Sequence, residues 1–166
     1  SHGKMIDMFN GLDGDGAFAP TRSGAVPVGD LIRLCYSGKY ATVDEMMKRA
    51  VGDAGIAAYL GTADMREVNK MIENGDENAK LVKEAFIYQH AKDIGSLSVV
   101  MKGKVDAILL TGGIAYGKDI TDAIASYTEW IAPVVVIPGE REMIALAQGA
   151  LRVLNGEEEA KEYEAW

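Results

Sequence analysis

The chain has 166 residues, 48% hydrophobic and 25% charged, which is enough for one domain with a core and too short for two large ones. Lys and Arg total 17 against 25 Asp and Glu, a net charge of -8, so the basic excess that a nucleic-acid surface needs is missing. No run approaches the roughly 18 consecutive apolar residues of a membrane span.

The first stretch, residues 3–26, is rich in Gly and Asp. Residues 4–9 form a short apolar strand candidate, followed by Gly11-Leu12-Asp13-Gly14-Asp15-Gly16, which is loop chemistry. Asp13 and Asp15 begin like a calcium loop, but the sixth position would be Phe18 and the twelfth Gly24, so a turn is expected. Pro27 starts a short helix through Leu31, Leu34 and Cys35, stopped by Gly38. Thr42 and Glu45 make a capping box for a second helix with Met46, Met47 and Val51. Residues 56–60 read as a buried strand. Asp64 with Glu67 then caps a helix whose inner face carries Val68, Met71 and Ile72. The longest helical pattern runs from Glu77 to about Lys102, with Leu81, Val82, Ala85, Phe86, Gln89 and Ile94 at helical spacing and Gly103 as its stop. Residues 105–110 and 133–137 read as fully buried strands, with a helix through Ile120, Ile124 and Tyr127 between them and another from about Glu142 to Leu154 after them.

From residue 56 the expected order is strand, helix, strand, helix, strand, helix, an α/β layout with a largely parallel sheet. Ligands of such sheets sit beyond the carboxyl ends of the strands. Three loops would leave those ends: Gly61-Thr62-Ala63-Asp64, Thr111-Gly112-Gly113 and Pro138-Gly139-Glu140.

Each candidate also has a plain structural explanation. Thr111 to Gly117 offers paired glycines and a helix N-terminus, as a ligand site or as a tight turn alone; it matches neither the P-loop nor the dinucleotide pattern. Asp64-Met65-Arg66 is explained by a cap plus a solvated Arg. Arg22, in Thr21-Arg22-Ser23-Gly24, has the planar fork for a phosphate or carboxylate, or is a surface Arg in a long loop. Glu140 and Glu142 suit Mg²⁺ or the dipole of a helix start. His90 is expected to pack within its helix and Cys35 to lie in the core. A single Cys allows no internal disulfide, and with only His2 and His90 beside it there is no zinc spacing. A reduced, cytoplasmic protein is expected. The opening Ser1-His2-Gly3 lacks an initiator Met and a leader pattern, so the chain is expected to be processed, tagged or cut from a longer one.

Several stretches stop looking independent when taken together. Phe18-Ala19-Pro20-Thr21-Arg22-Ser23-Gly24, Pro27-Val28-Gly29-Asp30-Leu31 and Cys35-Tyr36-Ser37-Gly38-Lys39-Tyr40 resemble a consecutive stretch of the acetate and butyrate kinase family, butyrate kinases above all. So do Ala58-Tyr59-Leu60-Gly61-Thr62, Asp64-Met65-Arg66-Glu67-Val68, and the run from Val105 through Thr111-Gly112-Gly113-Ile114-Ala115. The resemblance covers nearly the whole chain, in the right order. It implies an RNase H-like (actin-like ATPase) α/β fold in two lobes. It also implies reversible phosphoryl transfer between ATP and butyrate or a similar short-chain carboxylate, with Mg²⁺. Acetate, propionate or a branched-chain acid as acceptor, and a non-catalytic nucleotide-binding domain, are the alternatives.

By the same resemblance, residues 1–166 are the C-terminal nucleotide-binding lobe, the N-terminal lobe with its phosphate loop being absent, so the chain alone is expected to be inactive. Gly112, Gly113, Ile114 and Tyr116 fall in the adenosine motif, and Asp64, Met65 and Arg66 in the segment that contacts adenine. Arg22 matches the active-site Arg, and Glu140 or Glu142 the carboxylate linked to Mg²⁺. Asp7 matches an Asp at the end of the preceding strand. ATP or ADP, the carboxylate, the other lobe and a second copy in a homodimer are the implied partners.

Overall fold

The structure, a computed structural model, describes residues 1–162. Seven α-helices and two strands are found among them: α1 Val28–Cys35, α2 Val43–Ala50, α3 Gly55–Leu60, α4 Met65–Glu73, α5 Glu77–Ser98, β1 Ile108–Gly112, α6 Lys118–Thr128, β2 Val134–Pro138 and α7 Glu142–Leu154. Helix starts follow their side chains. Thr42 Oγ1 accepts from the Glu45 N–H at 3.2 Å and Glu45 reaches back to the Ala41 N–H at 2.7 Å, a capping box displaced by one residue at its acidic end. Asp64 accepts from the Arg66 N–H, and Asp76 from those of Asn78 and Ala79.

The core gathers around α5. Val82, Phe86 and Ile87 of that helix meet Ile56 of α3, Val68 of α4, and Ile120 and Ile124 of α6. Phe18 inserts from the N-terminal loop, edge-on to Phe86 at 5.8 Å between ring centroids. Leu81, expected on the inner face, points outward; the buried row runs through Ala79, Val82 and Phe86 instead. Cys35 is exposed rather than in the core. His90 packs as expected, its Nδ1 2.8 Å from the Phe86 carbonyl and its ring against that of Phe86.

β1 and β2 pair in parallel, in register from Ile108 opposite Val134 to Gly112 opposite Pro138, with α6 as the crossover. Two expected strands are not strands. Residues 56–60 lie in α3: a five-residue apolar run has no period, and Ala57 and Ala58 favour a helix. Residues 4–9 take no regular structure, because no strand edge lies alongside to receive their N–H and C=O groups. The order from residue 56 is therefore three helices, then strand, helix, strand, helix. The strands are also less covered than expected. Leu109 is 61% exposed, Val135, Val136 and Ile137 are all exposed, and no residue of α7 is buried. No helix among the described residues is long and apolar enough to cross a membrane.

Candidate functional site

The two strands end together, as a parallel pair must. At that end Gly112 and Gly139 exchange both backbone hydrogen bonds, at 3.0 and 3.3 Å, and Thr111 Oγ1 reaches the Gly139 carbonyl at 3.4 Å. Two of the three expected rim loops thus form one junction. The third, Gly61 to Asp64, leaves helix α3 instead of a strand, so it is not part of a strand rim.

The two glycines of the β1 exit have different reasons to be there. Gly112 sits at φ 87° and ψ 178°, a backbone region open in practice to glycine alone. Gly113 has no positive φ, and a Cβ built on it would meet nothing within 4 Å. Neither the backbone nor the packing of this chain demands glycine at 113. Its bareness leaves the start of the 3-10 turn Gly113–Tyr116 open to close approach from outside. Ile114 tucks back against the core. Tyr116, 73% exposed, lies across the junction, and a Cβ at Gly139 would come within 2.6 Å of its hydroxyl. The turn passes through Gly117 into α6, whose start has no side-chain cap.

Asp64 and Arg66 form a planar fork at the start of α4. Nε and Nη2 of Arg66 donate to the two carboxylate oxygens at 2.9 and 2.5 Å. The guanidinium, then the Arg66 backbone N–H, hold the Asp64 carboxyl at a pKa of about 2. Met65 turns inward against the core. The fork is thus fixed by its own partner and by the helix, while the Arg66 side chain remains 87% exposed, so the face of a flat cation is free to stack on a ring. Since the folded pKa is depressed, the stability gained from this cap is complete above the ordinary carboxylate range. It is lost as pH falls through about 2. A ¹³C titration of the Asp64 carboxyl should place its midpoint near that value, and Arg66→Ala should return it toward about 3.9. A parental midpoint already near 3.9 would show that the fork does not form.

The Arg22 guanidinium lies beside Gly11. The sequence reads its loop as long, yet the backbone is pinned on three sides. The Ala19 N–H donates to the Arg22 carbonyl, the Ser23 N–H to that of Ala50, and the N–H groups of Gly52 and Ala54 to that of Thr21. Ile56 and Ala57, at the start of α3, donate to the carbonyls of Ala19 and Pro20. No hydrogen bond or ion pair engages the Arg22 side chain among the described residues, so a fixed backbone presents an uncommitted cation. Asp7 accepts from the Met8 N–H, in an exposed segment.

Glu140 follows the β2 exit and Glu142 opens α7, both exposed. Among the described residues no group of three or more His, Cys, Asp or Glu is placed to hold a metal ion. Asp13 and Asp15 are occupied within their own turn, where Asn10 binds both. Sequence reasoning missed Lys83 of α5, which pairs with Asp119 of α6. Only its place at the margin of the buried row, next to Val82, could have hinted at it.

Comparison with known proteins follows the same lines. The pattern of the acetokinase family matches residues 1–129, ahead of Glu140 and Glu142. Butyrate kinase 2 of Clostridium acetobutylicum is 56% identical over 162 residues, 98% of this chain and 45% of that protein. A probable butyrate kinase of Clostridium botulinum is 52% identical over the same span. The chain therefore covers just under half the length of these relatives. In three dimensions it resembles the acetate kinase of Porphyromonas gingivalis, with a TM-score of 0.75 at 22% identity over 84% of this chain and 41% of that one. That likeness carries the actin-like ATPase fold expected from the sequence.

Proposed function

The chain belongs to the acetokinase family, and from that premise we propose that it is the C-terminal, adenosine-binding lobe of a two-lobe kinase acting on butyrate or a similar short-chain carboxylic acid. The reaction is reversible transfer of the γ-phosphoryl group of ATP to the acid, giving an acyl phosphate and ADP. The observation that carries this reading is Gly113, a glycine with no structural need to be one, at the open end of a parallel strand pair. The adenosine moiety lies against Gly112, Gly113 and Ile114, with Tyr116 and the exposed face of Arg66 as its aromatic and cationic flanks.

The carboxylate acceptor is already ionised at neutral pH, so no general base is required. One of its oxygens bonds to the γ-phosphorus as the bond to the ADP oxygen breaks, and the work left to the protein is orientation and charge stabilisation. Arg22 supplies the cation for the phosphoryl oxygens. Glu140 or Glu142 would hold Mg²⁺ through its waters, and the bound ion would neutralise phosphate charge. The phosphate loop and acid pocket belong to the other lobe, and closure of the two lobes around the substrates excludes water. A cytoplasmic homodimer is the assembly we favour.

Gly113→Val tests the reading. The branched side chain fills space that is empty in the folded chain, so it should leave thermal unfolding near that of the parent and raise the Kd for ATP about tenfold or more. Parental affinity in a folded Gly113→Val chain would remove adenosine from this loop.

A further inference from the structure

Three helices meet around one ammonium group. The side chain of Lys83, on α5, is only 15% exposed. Its Nζ donates to Asn69 Oδ1 of α4 at 2.7 Å and pairs with Asp119 Oδ2 in the first turn of α6. Asn69 Nδ2 also donates to Asp119 Oδ2, at 3.3 Å, so each member meets the other two. Partial burial pushes the Asp119 carboxyl up, but the hydrogen bond and charge of Lys83, with Asn69, outweigh it and leave the group below its ordinary range.

The position of this triad matters more than its strength. A partly buried ion pair is a weak stabiliser against an apolar replacement, but its directed hydrogen bonds fix how the elements sit together. Asn69 lies one turn along α4 from Arg66. Asp119 lies two residues beyond Gly117, where the turn Gly113–Tyr116 enters α6. A Cβ at Gly117 would be 3.1 Å from Asp119 Oδ1, so the carboxylate folds back over the exit of that turn. The two halves of the adenosine surface come from segments some 50 residues apart in sequence, and the triad is where their supporting helices are tied through side-chain polar atoms.

We propose that Lys83 is a positioning residue for nucleotide: it locks α4, which carries Asp64 and Arg66, to the first turn of α6, which anchors the turn Gly113–Tyr116. This rests on the adenosine reading above. In the 166-residue chain, Lys83→Met should raise the Kd for ATP about tenfold, and Asp119→Asn should do much the same. The double variant should be no worse than the weaker single one, because both changes break one lock. Circular dichroism should be unchanged and the thermal midpoint should stay within about 5 °C. In the two-lobe enzyme, Lys83→Met should raise KM for ATP with kcat held to within about twofold. A lysine serving stability alone would lower the active fraction, and hence apparent kcat, while sparing KM. If Lys83→Met does not fold, Asp119→Asn, which keeps the shape of the side chain, decides by itself. A folded variant with parental Kd, or strictly additive losses in the double variant, would overturn the lock while leaving the adenosine site standing. Absence of ATP binding in the parent chain would overturn both.

Discussion

Replacing Arg22 by Ala in the two-lobe enzyme should lower kcat by about 10³-fold or more, with KM for ATP changed only a few-fold. Arg22 has a fixed backbone and a side chain without a partner among the described residues, so its charge is available to a ligand. Charge moves onto the phosphoryl oxygens and the leaving ADP only as the transfer proceeds, so a cation aimed there binds the transition state better than the ground state. The loss should therefore appear in kcat. Trapping the acyl phosphate as its hydroxamate measures it. The same assay should show no turnover by the 166-residue chain alone, because we propose that the phosphate loop and acid pocket lie on the other lobe. Unchanged kcat in the Arg22→Ala enzyme would remove the residue from the reaction, and turnover by the lone chain would remove the need for a second lobe.

The largest effect on folding should come from Gly55→Ala. Gly55 opens α3 at φ +61° and is buried, and a Cβ there would overlap the Ala19 carbonyl oxygen and lie 2.7 Å from that of Arg22. Both obstacles are backbone, so nothing flexible can give way. Beyond the cost of a left-handed Ala, the segment from Ala19 to Arg22 must lift off α3 and lose hydrogen bonds to Ile56 and Ala57. Urea unfolding of the 166-residue chain should show a loss of about 3 kcal/mol or more. Gly61→Ala at the other end of the same helix is the control. Its φ is +75°, but a Cβ there meets nothing within 4 Å, so only the backbone cost of about 1–2 kcal/mol applies. Equal losses at both positions would contradict the close seating of the Arg22 turn on α3.

The legible parts of this fold are those encoded locally. The capping residues Thr42 and Asp64 sit where chain chemistry puts them; the long helix starts at Glu77 as expected, but its α-helical part ends at Ser98, short of Lys102 and Gly103, and continues as a 3-10 turn over Val99–Met101. The convergence of the loops after β1 and β2 also follows from sequence, since parallel strands joined by one helix must end on the same side. What failed needed partners distant in the chain. Residues 56–60 carry no period to separate strand from helix, and the choice is made by the seat that Ala19 and Pro20 offer to the start of α3. Residues 4–9 have the apolar content of a strand but no edge to join. The pinned backbone of Arg22 depends on hydrogen bonds to residues about 30 positions away, and the Lys83 triad on side chains from three helices. Neither leaves a local pattern. The family resemblance supplied the site residues instead, and the geometry adds a reason for one of them, the open space at Gly113.

Amide chemical shifts recorded while ATP is titrated into the 166-residue chain report residue by residue whether adenosine binds at the junction of β1 and β2. Saturable shifts are expected at Gly112, Gly113, Ile114 and Tyr116 and at Asp64 to Arg66, all reporting one Kd. Shifts confined instead to α1 and α2, or a spectrum indifferent to ATP, would contradict binding there.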